Sequence, residues 1–248
     1  MTQPRIAIVT AAGKGIGAAC ARALAAADWR VGLMSRSGGA ETLARELGGV
    51  GVTGSVTEAK DIARLVEAVI AAYGGIDAAI VSTGHAGHSL KAATTSFDPD
   101  FAGNLLDIPD AAWHDALELY VLDAVKVARA VTPAMLARGG GAIVNISAFG
   151  AAEPHAAYPL SSALRRALSA FTKLYADRYA RDGIRMNNLL PGYLDNYAWP
   201  DSLLSGIPLG RSGRLEEIAA TAVFLLGPGA GYITGQDILA DGGMARRV

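Results

Sequence analysis

The 248-residue sequence predicts an α/β fold, a doubly wound and mainly parallel sheet with helices on both faces. Three observations predict it. Short β-branched runs alternate about six times with alanine-rich helical segments, and right-handed crossovers wind that rhythm into one sheet. A glycine-rich turn joins the first strand to the first helix, as in nucleotide-binding sheets. No low-complexity linker or repeat interrupts the chain, so residues 1–248 read as a single domain. A (β/α)₈ barrel would need about eight units, and the first turn's glycine pattern argues against it.

Arg5 to Thr10 is an apolar run suited to a buried strand, and Gly15 to Asp28 turns helical with Ile16, Cys20, Ala23 and Leu24 on one side. Arg30 to Ser35 and the weaker Val50 to Thr53 are strands. Ile62, Leu65, Val66, Val69 and Ile70 mark a half-buried helix that Gly74-Gly75 ends, before a strand from Ile76 to Ser82. Thr83 to Pro109, rich in Gly, Thr, Asp and His, is long for a βα connection, as functional loops are. One long helix is expected from Asp110 to Ala137, then a strand from Ala142 to Ser147. A second long helix covers Pro159 to Arg181, with Leu164, Leu168, Phe171 and Tyr175 on its face. The strand Ile184 to Leu190 runs into Pro191-Gly192. After an irregular stretch from Tyr193 to Gly213, a helix from Leu215 to Leu226 and a strand from Asp237 to Leu239 complete seven strands.

Composition narrows the function classes. Hydrophobic residues are 51%, but 49 alanines inflate that figure, and the larger apolar residues amount to an ordinary core. Lys and Arg number 22 against 23 Asp and Glu, a net charge of −1 that gives no field for nucleic acid or an anionic membrane. No apolar run reaches the roughly 18 residues of a membrane span. Met1 to Arg5 lead straight into Ile6-Ala7-Ile8-Val9 with no signal-peptide pattern. The single cysteine, Cys20, allows no internal disulfide and reads as a helix-packing residue of a cytoplasmic protein.

The chemistry begins at Thr10-Ala11-Ala12-Gly13-Lys14-Gly15-Ile16-Gly17, between strand and helix. Glycines there let backbone approach a pyrophosphate, and the helix N-terminus favours its charge. At the end of the second strand, where NAD-selective sites place an acid, stands Ser35-Arg36-Ser37. Nothing there repels a 2′-phosphate, and Arg36 with Lys14 can grip one, so NADP(H) is favoured over NAD(H).

These features resemble the short-chain dehydrogenase/reductase family over nearly the whole chain. The family's Thr-Gly-x-x-x-Gly-x-Gly reads from Thr10 to Gly17, with Ala11 at the first glycine. Its Asn-Asn-Ala-Gly corresponds to Val81-Ser82-Thr83-Gly84, and its Asp-Val pair near the adenine to Ser55-Val56. Pro191-Gly192 matches the Pro-Gly beside the nicotinamide; Ile184-Arg185-Met186-Asn187, Tyr232-Ile233-Thr234-Gly235-Gln236 and Asp241-Gly242-Gly243 match its closing anchors. The resemblance implies a Rossmann-type seven-stranded sheet. It also implies hydride exchange between a nicotinamide and a carbonyl or secondary alcohol, with Thr10, Gly13, Lys14, Gly15, Ile16, Gly17, Arg36, Ser55, Val56, Gly84, Ser162, Pro191 and Gly192 at the cofactor. A homotetramer or homodimer is implied too, through the two long helices and the C-terminal segment.

The family's catalytic set is Ser, Tyr and Lys in Tyr-x-x-x-Lys, plus an Asn on the preceding long helix. Tyr158 stands as the proton carrier and Ser147 as the group holding the substrate oxygen, with Ala148 at the alternative register. Ser162 occupies the lysine position, and Tyr120 falls where the Asn is expected. Without lysine the Tyr158 pKa should stay high. Arg165 and Arg166, about two turns on, could supply charge but read first as surface arginines, and His155 is another candidate proton carrier. His85 and His88, with Asp98 or Asp100, could hold a metal only if the loop arranged them, and no metal is expected. Trp199 and Tyr193 to Tyr197 lie where the family's substrate lid sits, suggesting an aromatic pocket. Two other readings compete: a non-redox enzyme on the same scaffold, and a non-catalytic nucleotide-binding protein.

Overall fold

The computed structural model describes residues 4–83 and 105–246. Seven parallel strands lie in the order β3-β2-β1-β4-β5-β6-β7. They are β1 (Ile6–Val9), β2 (Arg30–Ser35), β3 (Val50–Thr53), β4 (Ala78–Val81), β5 (Gly141–Ile146), β6 (Ile184–Pro191) and β7 (Asp237–Ala240). The helices are α1 (Gly15–Ala26), α2 (Gly39–Leu47), α3 (Ala59–Tyr73), α4 (Asp110–Leu117), α5 (Asp123–Ala137), α6 (Pro159–Tyr179), α7 (Asp201–Leu204) and α8 (Leu215–Leu226).

The order reverses between β1 and β4. Crossovers therefore leave in opposite directions from that point and open a crevice above the strands' C-terminal ends. An open sheet with two edges excludes the barrel. Alternate strand residues feed opposite cores. Ala7, Val9, Leu33, Ile80, Val144 and Leu189 pack with Leu24 of α1 and Leu225 of α8. Ile8, Met34, Ile143 and Met186 pack with Leu65 of α3, Val131 of α5 and Leu168 of α6. Both strand faces are covered, which is why the strands read as continuous apolar runs. No described helix is long and apolar enough to cross a membrane. Cys20 is buried in α1, and burial pushes its thiol up to about 12, so it packs and does not react.

Two expectations need correction. The helix expected without interruption from Asp110 to Ala137 contains a five-residue π-helical segment, Glu118–Leu122, between α4 and α5. Its apolar spacing runs on through the widened turn, so periodicity does not mark it. The sequence reading also passed over α2, whose buried side is only Ala40, Leu43 and Ala44. Within the stretch 193–213, α7 adds a single turn.

Candidate active site

The site is assembled at the crevice from the ends of β1, β2, β4, β5 and β6. At β1, the Thr10 hydroxyl donates to the Ser82 carbonyl at 2.9 Å and accepts the Ser82 N–H at 3.0 Å, tying the two strands at the switch point. The turn then needs its glycines. A Cβ on Gly13 would stand 2.9 Å from Ser35 Oγ, and one on Gly17 would stand 2.6 Å from the Ala11 carbonyl oxygen. Gly15 has φ +57, and a Cβ there would meet only Asn196 Nδ2, at 3.9 Å. Ala11, at the family's first glycine, takes a left-handed φ of 48, which an alanine adopts only under constraint. Helix α1 starts without a side-chain cap and with no acid in its first turn, leaving its N–H groups for an anion.

At β2, Ser35 turns inward under Gly13 and accepts the Ala40 N–H at 3.0 Å. The side chains of Arg36 and Lys14 are exposed and make no hydrogen bond or ion pair among the described residues. At β3's end the Ser55 N–H donates to the Asp61 carboxylate at 2.9 Å, and Val56 packs on the second core. Gly192 continues the sheet edge through its N–H to the Ala240 carbonyl at 3.1 Å, with Asp241 too near to admit a side chain. A cradle without side chains and an uncapped helix N-terminus fit the pyrophosphate of a dinucleotide, with two unengaged cations nearby. Ile16 flanks this cradle on α1, and Pro191 ends β6. Gly84, His85, His88, Asp98 and Asp100 lie outside the described residues.

The catalytic end departs from the family pattern. Ser147 follows β5 directly; its N–H donates to the Leu189 carbonyl at 2.8 Å, while its buried hydroxyl meets no partner among the described residues. A buried hydroxyl left unpaired costs free energy, so this one is poised for a ligand oxygen. Tyr158 precedes α6, its ring in edge contact with Phe149 at 6.3 Å. Its hydroxyl interacts with that of Tyr193, and burial first, then that contact, pushes its pKa well above the usual phenol range. Tyr193, 7% exposed, stacks against Phe149 at 5.5 Å and Trp199 at 4.6 Å, and the Trp199 indole N–H donates to the Leu194 carbonyl at 2.6 Å. Phe149 thus forms an aromatic cluster with Tyr193, Tyr197 and Trp199, the aromatics after Pro191-Gly192.

Ser162 is 3% exposed, and its Oγ accepts the His155 N–H at 3.2 Å beneath Gly150. So short a side chain, turned into this loop, cannot place a cation at Tyr158. His155 is exposed, its Nδ1 takes the Ala157 N–H at 3.1 Å, and its ring lies 6.2 Å from that of Tyr158. Arg166 is at the surface near Asp237, as expected. Arg165 is not: it is 6% exposed, hydrogen-bonded to the Ile146 carbonyl and stacked on Tyr120. Its surface reading is corrected because it stands three residues before Leu168 on the buried stripe of α6. Sequence reasoning also missed Tyr193 as the partner of Tyr158, and Asp123. That carboxyl is buried, and desolvation raises it to about 7 against the pull of Arg165 and Lys126.

A glycine-opened helix N-terminus at the switch point of a parallel sheet, sharing one edge with a buried serine and a tyrosine, defines a dinucleotide-type redox fold. The family model described as Enoyl-(Acyl carrier protein) reductase matches residues 10–245. "Dehydrogenase/reductase SDR family member 4" of Bos taurus is 32% identical, over 96% of this chain and 86% of its own. "Cis-4-hydroxycyclohexanecarboxylate dehydrogenase" of Sinomonas cyclohexanicum is 31% identical over 96% of each chain. The solved acetoin dehydrogenase of Enterobacter cloacae superposes with a TM-score of 0.83 at 27% identity, covering 98% of this chain and 96% of that one. The chain belongs to the short-chain dehydrogenase/reductase family, whose members are nicotinamide-dependent oxidoreductases.

Proposed function

We propose that the protein is an NADP(H)-dependent oxidoreductase that exchanges hydride between the nicotinamide and a carbonyl or secondary alcohol. The observation that carries this reading is the unpartnered, buried Ser147 hydroxyl on the same sheet edge as Tyr158 and the glycine cradle. Relatives named for a hydroxycyclohexanecarboxylate and, in Vibrio cholerae at 28% identity, for a 3-oxoacyl group support the substrate class. The cofactor, when bound, supplies or takes the hydride. Ser147 donates to the substrate oxygen. Tyr158, held as a neutral phenol by burial and Tyr193, gives that oxygen its proton in the direction of carbonyl reduction. Arg36 and Lys14 hold the 2′-phosphate, and the aromatic cluster excludes water around an uncharged substrate. Assembly into a homodimer or homotetramer follows from the family resemblance, and the lone buried Cys20 suits a cytoplasmic setting.

The test is a panel of ketones and alcohols with both coenzymes. Tyr158→Phe should lower kcat by roughly 10²–10⁴-fold without weakening NADPH binding. Arg36→Glu should weaken NADPH binding by about 100-fold and leave NADH binding nearly unchanged. Full activity in Tyr158→Phe, or equal losses for both coenzymes in Arg36→Glu, would overturn the corresponding assignment. Ser162 and Tyr120 in place of lysine and asparagine favour a second reading, a non-catalytic NADPH-binding protein. Tight NADPH binding without turnover on any panel member would establish it, and strong activation by Ser162→Lys would mark a weakened dehydrogenase.

A further inference from the structure

The inward face of α6 carries Ser162, Arg165, Leu168 and Thr172. A guanidinium on such a face costs free energy to desolvate unless its donors are met. Those of Arg165 are met in an unusual way. No carboxylate forms an ion pair with it among the described residues. Its Nη1 instead donates to the Ile146 carbonyl at 3.0 Å, its Nε to Ser161 Oγ at 3.1 Å, and its carbon centre lies 4.5 Å over the Tyr120 ring.

Ile146 ends β5, and the last β4–β5 pair is Val81 with Asn145. The Ile146 carbonyl is therefore the first on that side beyond the ladder's reach. The N–H of the same peptide unit belongs to Ser147 and points the other way, to Leu189 at 2.8 Å. One peptide plane is thus held from both sides, by β6 through its N–H and by Arg165 through its C=O. The ring beneath the guanidinium comes from the π-helical segment, a distortion that proteins keep mainly where it re-aims a functional group.

We propose that Arg165 is a positioning residue that fixes the Ile146–Ser147 peptide, and with it the Ser147 hydroxyl, with Tyr120 as its cushion. The inference rests on the reading of Ser147 as the holder of the substrate oxygen. A displacement of a positioned group by an ångström is enough to cost a large factor in rate, so the anchor matters even though Arg165 meets neither substrate nor cofactor.

Amide hydrogen exchange on the protein alone tests the anchor directly. In Arg165→Met the Ser147 amide should exchange at least about tenfold faster, while Ile143 and Val144 inside β5 stay protected. In steady state Arg165→Met should lower kcat by about 10- to 100-fold, with KM for NADPH nearly unchanged, and Arg165→Lys should recover part of the loss. In a Ser147→Ala background the same change should add less than about twofold. Unaltered Ser147 exchange, or an equal kcat loss in both backgrounds, overturns the proposal. If Arg165→Met does not fold, Tyr120→Leu removes the cushion and is read in the same way. Full activity in Ser147→Ala alone would instead sink the serine's assigned role, and the exchange result would still decide whether Arg165 holds the peptide.

Discussion

The two ends of the cleft treat the family pattern differently. At the nucleotide end the backbone itself is the site: Gly13 and Gly17 leave no room for a Cβ, and the first turn of α1 carries no competing acid. At the catalytic end side chains are the site, and two depart from the pattern, Ser162 for lysine and Tyr120 for asparagine, beside a buried Arg165 stacked on Tyr120. Where geometry is imposed by main-chain sterics, few replacements are tolerated. Where it is imposed by hydrogen bonds, another set of donors can hold the same strand end.

The first way to break this contrast is Gly17→Val, which forces a branched side chain against the Ala11 carbonyl. NADPH binding should fall by more than about 100-fold in calorimetry, since the close approach of helix and turn is lost. Retained binding would show that the backbone cradle is not the determinant.

The second concerns Asp123, faced by Arg165 from α6 and by Lys126 on its own helix. Its folded pKa of about 7 lies above the ordinary 3.8, so between these values the native state keeps a proton that the unfolded chain has released. Stability contributed by this group is present below about pH 4, is lost as pH rises towards 7 and is level above that, a span of up to about 4 kcal/mol. Asp123→Asn should flatten that slope in a series of melting curves. A slope equal to wild type would show that Arg165 keeps the carboxylate ionised throughout.

The smallest expected effect is at Tyr193. Tyr193→Phe keeps the ring packing on Phe149 and Trp199 and removes only the hydroxyl that meets Tyr158. The phenol form of Tyr158 loses that support, so its pKa should fall and the alkaline limb of the pH–rate profile should move to lower pH. An unmoved limb would reduce Tyr193 to a wall of the pocket.

The nucleotide end was legible because its requirements fall on glycines at fixed spacing between a strand and a helix. Thr10 to Gly17, Arg36 and Pro191-Gly192 all lie at the C-terminal ends of β1, β2 and β6. The catalytic end was legible only as departures from a pattern. Ser162 could be seen to be no lysine, but its inward turn under Gly150 depends on a fold-back that no local spacing encodes. Arg165 did carry a signal, its three-residue offset from Leu168, which the expectation that arginines lie at surfaces outweighed. The Tyr158–Tyr193 contact joins residues from two elements and leaves no trace in either.

The widened turn at Glu118–Leu122 has a consequence for how this chain can change length. Such a turn absorbs one residue more than regular winding holds, so removing one there would restore ordinary helix and leave the faces on either side turned as they are. Ala116 and Trp113 would still meet Leu160 and Leu164, against which they now pack. A lone codon lost from this stretch would erase the widened turn and keep both α4 and α5 in register.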